Sequence, residues 1–179
     1  MKLSRRSMLR IAGSSGLAVI AGGALAVSQE SPAYAAQSQW RWCWKCQGLW
    51  FSGNSSMGTC PASAFGHGNS GSGNYSLLSD SDAGSGQTNW RWCWKCQGLW
   101  FSGNSSMGTC PASEFGHGNQ SSGNYKIQSA AVGGGQGNWR WCWKCQGFWF
   151  SGNSSMGTCP ASEFGHGNSG SGNYQLRQV

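Results

Sequence analysis

Three cysteines and one histidine recur at one spacing three times along this chain, and no other feature narrows its possible folds as far. Cys43, Cys46, Cys60 and His67 follow Cys-x2-Cys-x13-Cys-x6-His; Cys93, Cys96, Cys110 and His117 repeat it, as do Cys142, Cys145, Cys159 and His166. These twelve residues account for all nine cysteines and all three histidines. Three thiolates and an imidazole complete a tetrahedral set for structural zinc and leave no open position for catalysis. Three zinc ions are therefore the expected cofactors, and a small unit draws on the order of 10 kcal/mol of folding free energy from such a site. Disulfides are the competing account, and they meet a parity problem, because three cysteines per unit and nine in total leave one unpaired. A Cys43–Cys46 bridge with Cys60 free, or pairing between units, is the form that account takes.

The units span residues 40–77, 90–127 and 139–176. Trp40–Ser63 and Trp90–Ser113 are identical over 24 positions, and the third copy differs in that window only by Phe148 in place of Leu. Between units, residues 79–89 and 129–138 are rich in Gly, Ser, Asp and Asn and read as flexible connectors. Aliphatic residues are scarce, while all twelve tryptophans lie in the repeats. An ordinary Leu/Ile/Val core is excluded; aromatic packing and cross-links must hold the fold.

Trp40-Arg41-Trp42-Cys43-Trp44 alternates in period two, which predicts a strand with three indoles on one face. Leu49-Trp50-Phe51 and Asn74-Tyr75-Ser76-Leu77 predict two further strands, and Met57–Cys60 a fourth. The predicted fold class is all-β: three small Cys/Trp-rich repeats of short strands and loops. They form either a pseudo-threefold, trefoil-like assembly or zinc-ribbon-like beads on strings. The indole surplus favours the assembly, because separate beads would expose large apolar patches.

Several motifs carry resemblances. Cys43-Trp44-Lys45-Cys46-Gln47-Gly48 resembles a zinc knuckle, in which a tight turn brings two sulfurs to one ion. Trp42-Cys43-Trp44-Lys45-Cys46 also matches the Trp-Cys-x-x-Cys of thioredoxins superficially, but that motif works at a helix N-terminus and Gly48 follows here at once. At the N-terminus, Arg5-Arg6 resembles a twin-arginine export motif. It precedes an apolar run of 17 residues, Ile11–Val27, and the small-x-small triplet Ala33-Tyr34-Ala35. Residues 1–35 are thus expected to be a signal peptide, helical in its apolar part and cleaved after Ala35. The expected partners are the twin-arginine export machinery and signal peptidase. A run this short and glycine-interrupted predicts no stable membrane anchor. The resemblance also implies export of an already folded, metal-loaded protein. The repeat pattern Trp-x-Trp-Cys-x-Lys-Cys-x-Gly-Leu resembles repeats in exported proteins of actinomycetes and other soil bacteria.

Removing residues 1–35 lowers the net charge from +7 to +4, since four of twelve basic and one of five acidic residues lie there. So moderate an excess, spread over 144 residues, is only a weak argument for nucleic acid or another anionic polymer, and nucleic acid is not an expected partner. Catalysis is not expected: Glu114 and Glu163 face Ala64 in the first unit, so no carboxylate is shared by all three. A secreted hydrolase using Cys/His chemistry is one alternative function, and a structural or zinc-sequestering protein is another. The favoured reading is binding of a polysaccharide or cell-envelope polymer, because indole faces stack on sugar C–H surfaces. Its candidate ligand contacts are Trp40, Trp42, Trp44 and Trp50; Trp90, Trp92, Trp94 and Trp100; and Trp139, Trp141, Trp143 and Trp149, the alternative being that three of the four indoles in each unit form the core and one stays exposed. Asn54, Ser55, Ser56, Asn69, Asn74 and Gln47 could add hydrogen bonds, and three copies would add avidity.

Overall fold

Each repeat folds as three short antiparallel strands. In the first, β1 (Gln37–Trp42) pairs with β2 (Leu49–Phe51) on one side and β3 (Tyr75–Ser79) on the other. Strands β4 (Gln87–Trp92), β5 (Leu99–Phe101) and β6 (Tyr125–Ser129) repeat this, as do β7 (Gln136–Trp141), β8 (Phe148–Phe150) and β9 (Tyr174–Gln178). The computed structural model describes residues 36–179; the proposed signal peptide, its helix and its cleavage position lie outside the described residues. Among the described residues there is no α-helix, only a 3-10 turn at Ala130–Val132.

The repeats close head to tail into a ring. The end of β3 pairs with the start of β6 (Ser79 with Tyr125), and the end of β6 with the start of β9 (Ser129 with Tyr174). The end of β9 returns to the start of β3, pairing Gln178 with Tyr75. A second cycle joins the short strands, where Phe51 N donates to Gln97 O, Phe101 N to Gln146 O and Phe150 N to Gln47 O, each at 2.9 Å. Cyclic closure of three equivalent units creates an approximate threefold axis. The trefoil-like option therefore describes the molecule, and the bead option does not.

The ring exists because a single repeat has two apolar faces on its shortest strand. Leu49 and Trp50 are adjacent, so they point to opposite sides of β2, yet both are buried. Leu49 joins the shared core with Trp40, Trp90, Trp139, Leu99 and Phe148, while Trp50 packs on the cysteines of its own unit. One repeat cannot cover both faces; three in a cycle can. Phe148, the odd residue of the third copy, stacks on Trp139 at 5.4 Å and meets Trp90 edge-on at 4.8 Å. One phenyl and two leucines fill the axis together.

Three sequence expectations need correction. The first strand ends at Trp42, so Trp44 does not share a face with Trp40 and Trp42 but lies in the following turn. Met57–Cys60 is not a strand: Cys60 makes only an isolated bridge to Ser63, because its turn is shaped by ligand placement rather than by a ladder. The connectors are tied down, with Asp80 N donating to Asn124 O and Ala130 N to Asn173 O, both at 2.8 Å. Lys126 Nζ also donates to Asp82 O at 2.7 Å, drawing the first connector onto β6.

Candidate metal centre

Two turns build each cluster. Cys43 leaves β1 and Cys46 precedes β2, and the chain reverses between them as Gln47 N donates to Cys43 O (2.8 Å) and Cys43 N to Gly48 O (2.9 Å). Gln47 closes the reversal with a left-handed φ of 66°. Cys60 and His67 come from the long loop between β2 and β3, where Ser63 N donates to Cys60 O and His67 N to Met57 O. Lys45 clamps the two turns, donating from Nζ to Ser63 Oγ and Gly66 O at 3.0 Å each. The same geometry recurs at Lys95 and Lys144.

The four ligand atoms of each cluster lie within 4.8 Å of one another, and all twelve residues are buried. A tetrahedral ion with Zn–S of about 2.3 Å and Zn–N of about 2.0–2.1 Å sets S···S edges near 3.8 Å and S···N edges near 3.6 Å. The observed edges are 3.9 Å for Cys43–Cys60, 3.8 Å for Cys93–Cys110 and 3.9 Å for Cys142–Cys159. Cys46, Cys96 and Cys145 each stand 3.6 Å from Nδ1 of their histidine. A disulfide needs about 2.0 Å, and all nine cysteines are unpaired. The three Cys3His clusters fit structural zinc.

Electrostatics agree with that fit. Hydrogen bonds from Cys46 and Cys60 hold the Cys43 thiol far below its ordinary value. Having given up its proton first, Cys43 becomes the acceptor for its neighbours. Hydrogen bonding to Cys43 and Cys60, then burial, holds Cys46 well above the thiol range, and the bond to Cys43 pushes Cys60 up to about 11. Three bare thiolates cannot share this site; a divalent cation compensates them. Gly68 N also donates to Cys43 Sγ at 3.4 Å, and Trp50 stacks on the His67 ring at 5.3 Å and 16°.

The histidine tautomer follows from its outer nitrogen. His67 Nε2 donates to the backbone carbonyl of Cys96 at 3.2 Å, in the knuckle of the next repeat. A carbonyl only accepts, so Nε2 carries the proton and Nδ1 presents its lone pair to the sulfurs. His117 and His166 donate in the same way to Cys145 O and Cys46 O.

The other predicted site residues divide sharply. Trp40, Trp50, Trp90, Trp100, Trp139 and Trp149 are buried and cannot meet a polymer; the expectation that they contact ligand is corrected, because the fold has little else to bury. Trp42, Trp92 and Trp141 are partly buried against the shared core. Trp44, Trp94 and Trp143 are 50%, 46% and 50% exposed, each with a lysine Nζ 5.8–6.0 Å from its ring centroid. Asn54 and Gln47 are committed internally: Asn54 Nδ2 donates to Gln97 Oε1, and Gln47 Oε1 accepts from Asn153 Nδ2, both at 2.7 Å. Asn74 Oδ1 accepts from Gln39 N. Phe65, Phe115 and Phe164, 80–89% exposed, were not among the expected contacts, although Phe inside the polar run before His67 could have signalled them. An apolar pocket on the axis is lined by Leu49, Leu99 and Phe148 together with His67, His117 and His166 of the three clusters.

Comparisons with protein-family models, with curated proteins and with solved structures gave no match for this chain.

Proposed function

We propose that this chain is an exported, non-catalytic binding protein for a glycan or cell-envelope polymer, built on three structural zinc sites. One observation carries the reading. Each repeat buries two indoles completely yet leaves one, at Trp44, Trp94 or Trp143, half exposed on the turn between its first two cysteine ligands. A large aromatic face held rigidly at three symmetric positions suits stacking on successive sugars and adds avidity along a polymer. The buried ligand sets support zinc in a folding role, and the absence of a carboxylate common to the repeats supports a non-catalytic one. The Arg5-Arg6 motif and the apolar run after it support twin-arginine export.

The test is retention on insoluble polysaccharides and isolated cell envelope, comparing the native chain with the triple variant W44A/W94A/W143A. Binding of the native chain that falls at least tenfold in the variant, with metal content unchanged, is the expected result. Equal retention of both proteins would sink the glycan reading. For export, R5K/R6K should trap the chain inside the cell; undiminished secretion counts against the twin-arginine route.

A further inference from the structure

We propose that the three metal sites are not independent: each is completed by the knuckle of the next repeat, so metal occupancy is coupled around the ring. Every knuckle cysteine that precedes β2, β5 or β8 has two roles. Its sulfur belongs to its own cluster, and its backbone carbonyl receives the imidazole N–H of the preceding cluster: Cys96 from His67, Cys145 from His117 and Cys46 from His166, each at 3.2 Å. An outer-shell acceptor of this kind fixes the tautomer and ring orientation of a ligating histidine, and its loss commonly lowers metal affinity 10–100-fold.

The carbonyl is gripped from a second side. Gly58, at φ +62°, packs so closely that a Cβ there would stand 2.3 Å from Cys96 O; Gly108 and Gly157 stand identically to Cys145 O and Cys46 O. The bond from Asn54 Nδ2 to Gln97 Oε1 and that from Phe51 N to Gln97 O pin the next residue of the same knuckle. The loop supplying His67 is therefore moulded to a knuckle whose shape depends on the second cluster. Emptying site 2 frees the Cys96 carbonyl and loosens site 1. Site 3 is linked to site 2 as well, through the bond from His117 to Cys145 O, and coupling between binding sites is reciprocal, so emptying one site weakens both of the others.

This inference rests on the zinc assignment, and the experiment separates the two. The intact native chain is titrated with a zinc chelator and followed by native mass spectrometry. Coupling predicts that species with one and two ions stay well below the populations expected for three independent sites. Independent, binomial loss of three ions overturns the coupling alone; a chain that never carries metal overturns the zinc assignment with it. The effect of losing one site is read in the full-length C93S/C96S variant by thiol alkylation during the same titration. Peptides of repeats 1 and 3 differ in mass through Leu49 against Phe148 and Ala64 against Glu163. Cys43, Cys46 and Cys60, together with Cys142, Cys145 and Cys159, should become reactive at 10–100-fold weaker chelation than in the native chain. Release of both sites at the native chelator strength overturns the coupling. Should that variant fail to fold, the native-chain titration still decides.

Discussion

The shared aromatic core and the three metal clusters solve the same problem with different materials. Along the axis, Trp40, Trp90, Trp139 and their neighbours bury aromatic surface that comes from all three repeats. In the clusters, a single indole per repeat, Trp50, Trp100 or Trp149, packs on three cysteines of its own unit. The core is nonlocal and depends on ring closure; a cluster draws its ligands from one repeat and depends on an ion. The histidine–carbonyl bonds are where the two schemes meet, so a chain poor in aliphatic residues gains a single cooperative structure from two partial ones.

The largest way to break this contrast is to withdraw the metal. Each zinc supplies on the order of 10 kcal/mol, so a strong chelator at neutral pH should abolish the near-ultraviolet circular dichroism of the core indoles along with the sites. A core signal that outlives complete zinc loss would show that the axis stands alone. The converse titration has a proton signature. Cys43 is held low, whereas Cys46 is held well above the thiol range by hydrogen bonding and burial and Cys60 is pushed up to about 11. Zinc uptake at pH 7 should then release about two protons per ion if the metal-free cluster keeps its shape and about three if it unfolds, measurable by calorimetry in buffers of different ionisation enthalpy. Affinity falls as pH falls, because protons compete for the same thiolates.

Smaller perturbations sharpen the comparison. Trp90 packs against Phe101, Phe148 and Tyr174, residues of two repeats, and Trp90→Ala should cost about 3–5 kcal/mol in denaturant unfolding. Zinc stoichiometry should stay at three if the core and clusters are separable at that level of damage. Trp44→Ala, half exposed beside the same ligands, should change stability by no more than about 0.5 kcal/mol. A large loss at Trp44 would mean that its packing with Lys45 supports the knuckle and would weaken its assignment as a contact residue.

The ligand clusters were legible in the sequence because metal chemistry restricts residue type and spacing together. Cys-x2-Cys with a third cysteine and a histidine leaves few geometries, and all twelve residues meet as expected. The tryptophans were legible only as a class. Trp44 and Trp50 are six residues apart, yet one is half exposed and the other stacks on His67. Period-two alternation carried Trp44 onto the strand face, although the knuckle pattern starting at Cys43 already called for a turn there, and the turn prevails. The Met57–Cys60 segment misled for a related reason, since its extended look serves ligand placement.

By itself, the sequence determined the threefold repetition, the all-β class and the composition of the three metal clusters, because periodicity and ligand chemistry are local properties. Only the tertiary structure decided that the copies close into a ring, which indoles are consumed by it, and that each histidine is oriented by its neighbour's carbonyl. Those outcomes depend on contacts between units separated by about fifty positions, where near-identical sequences offer no local signal of which copy meets which. The need to bury both faces of one three-residue strand settles the matter.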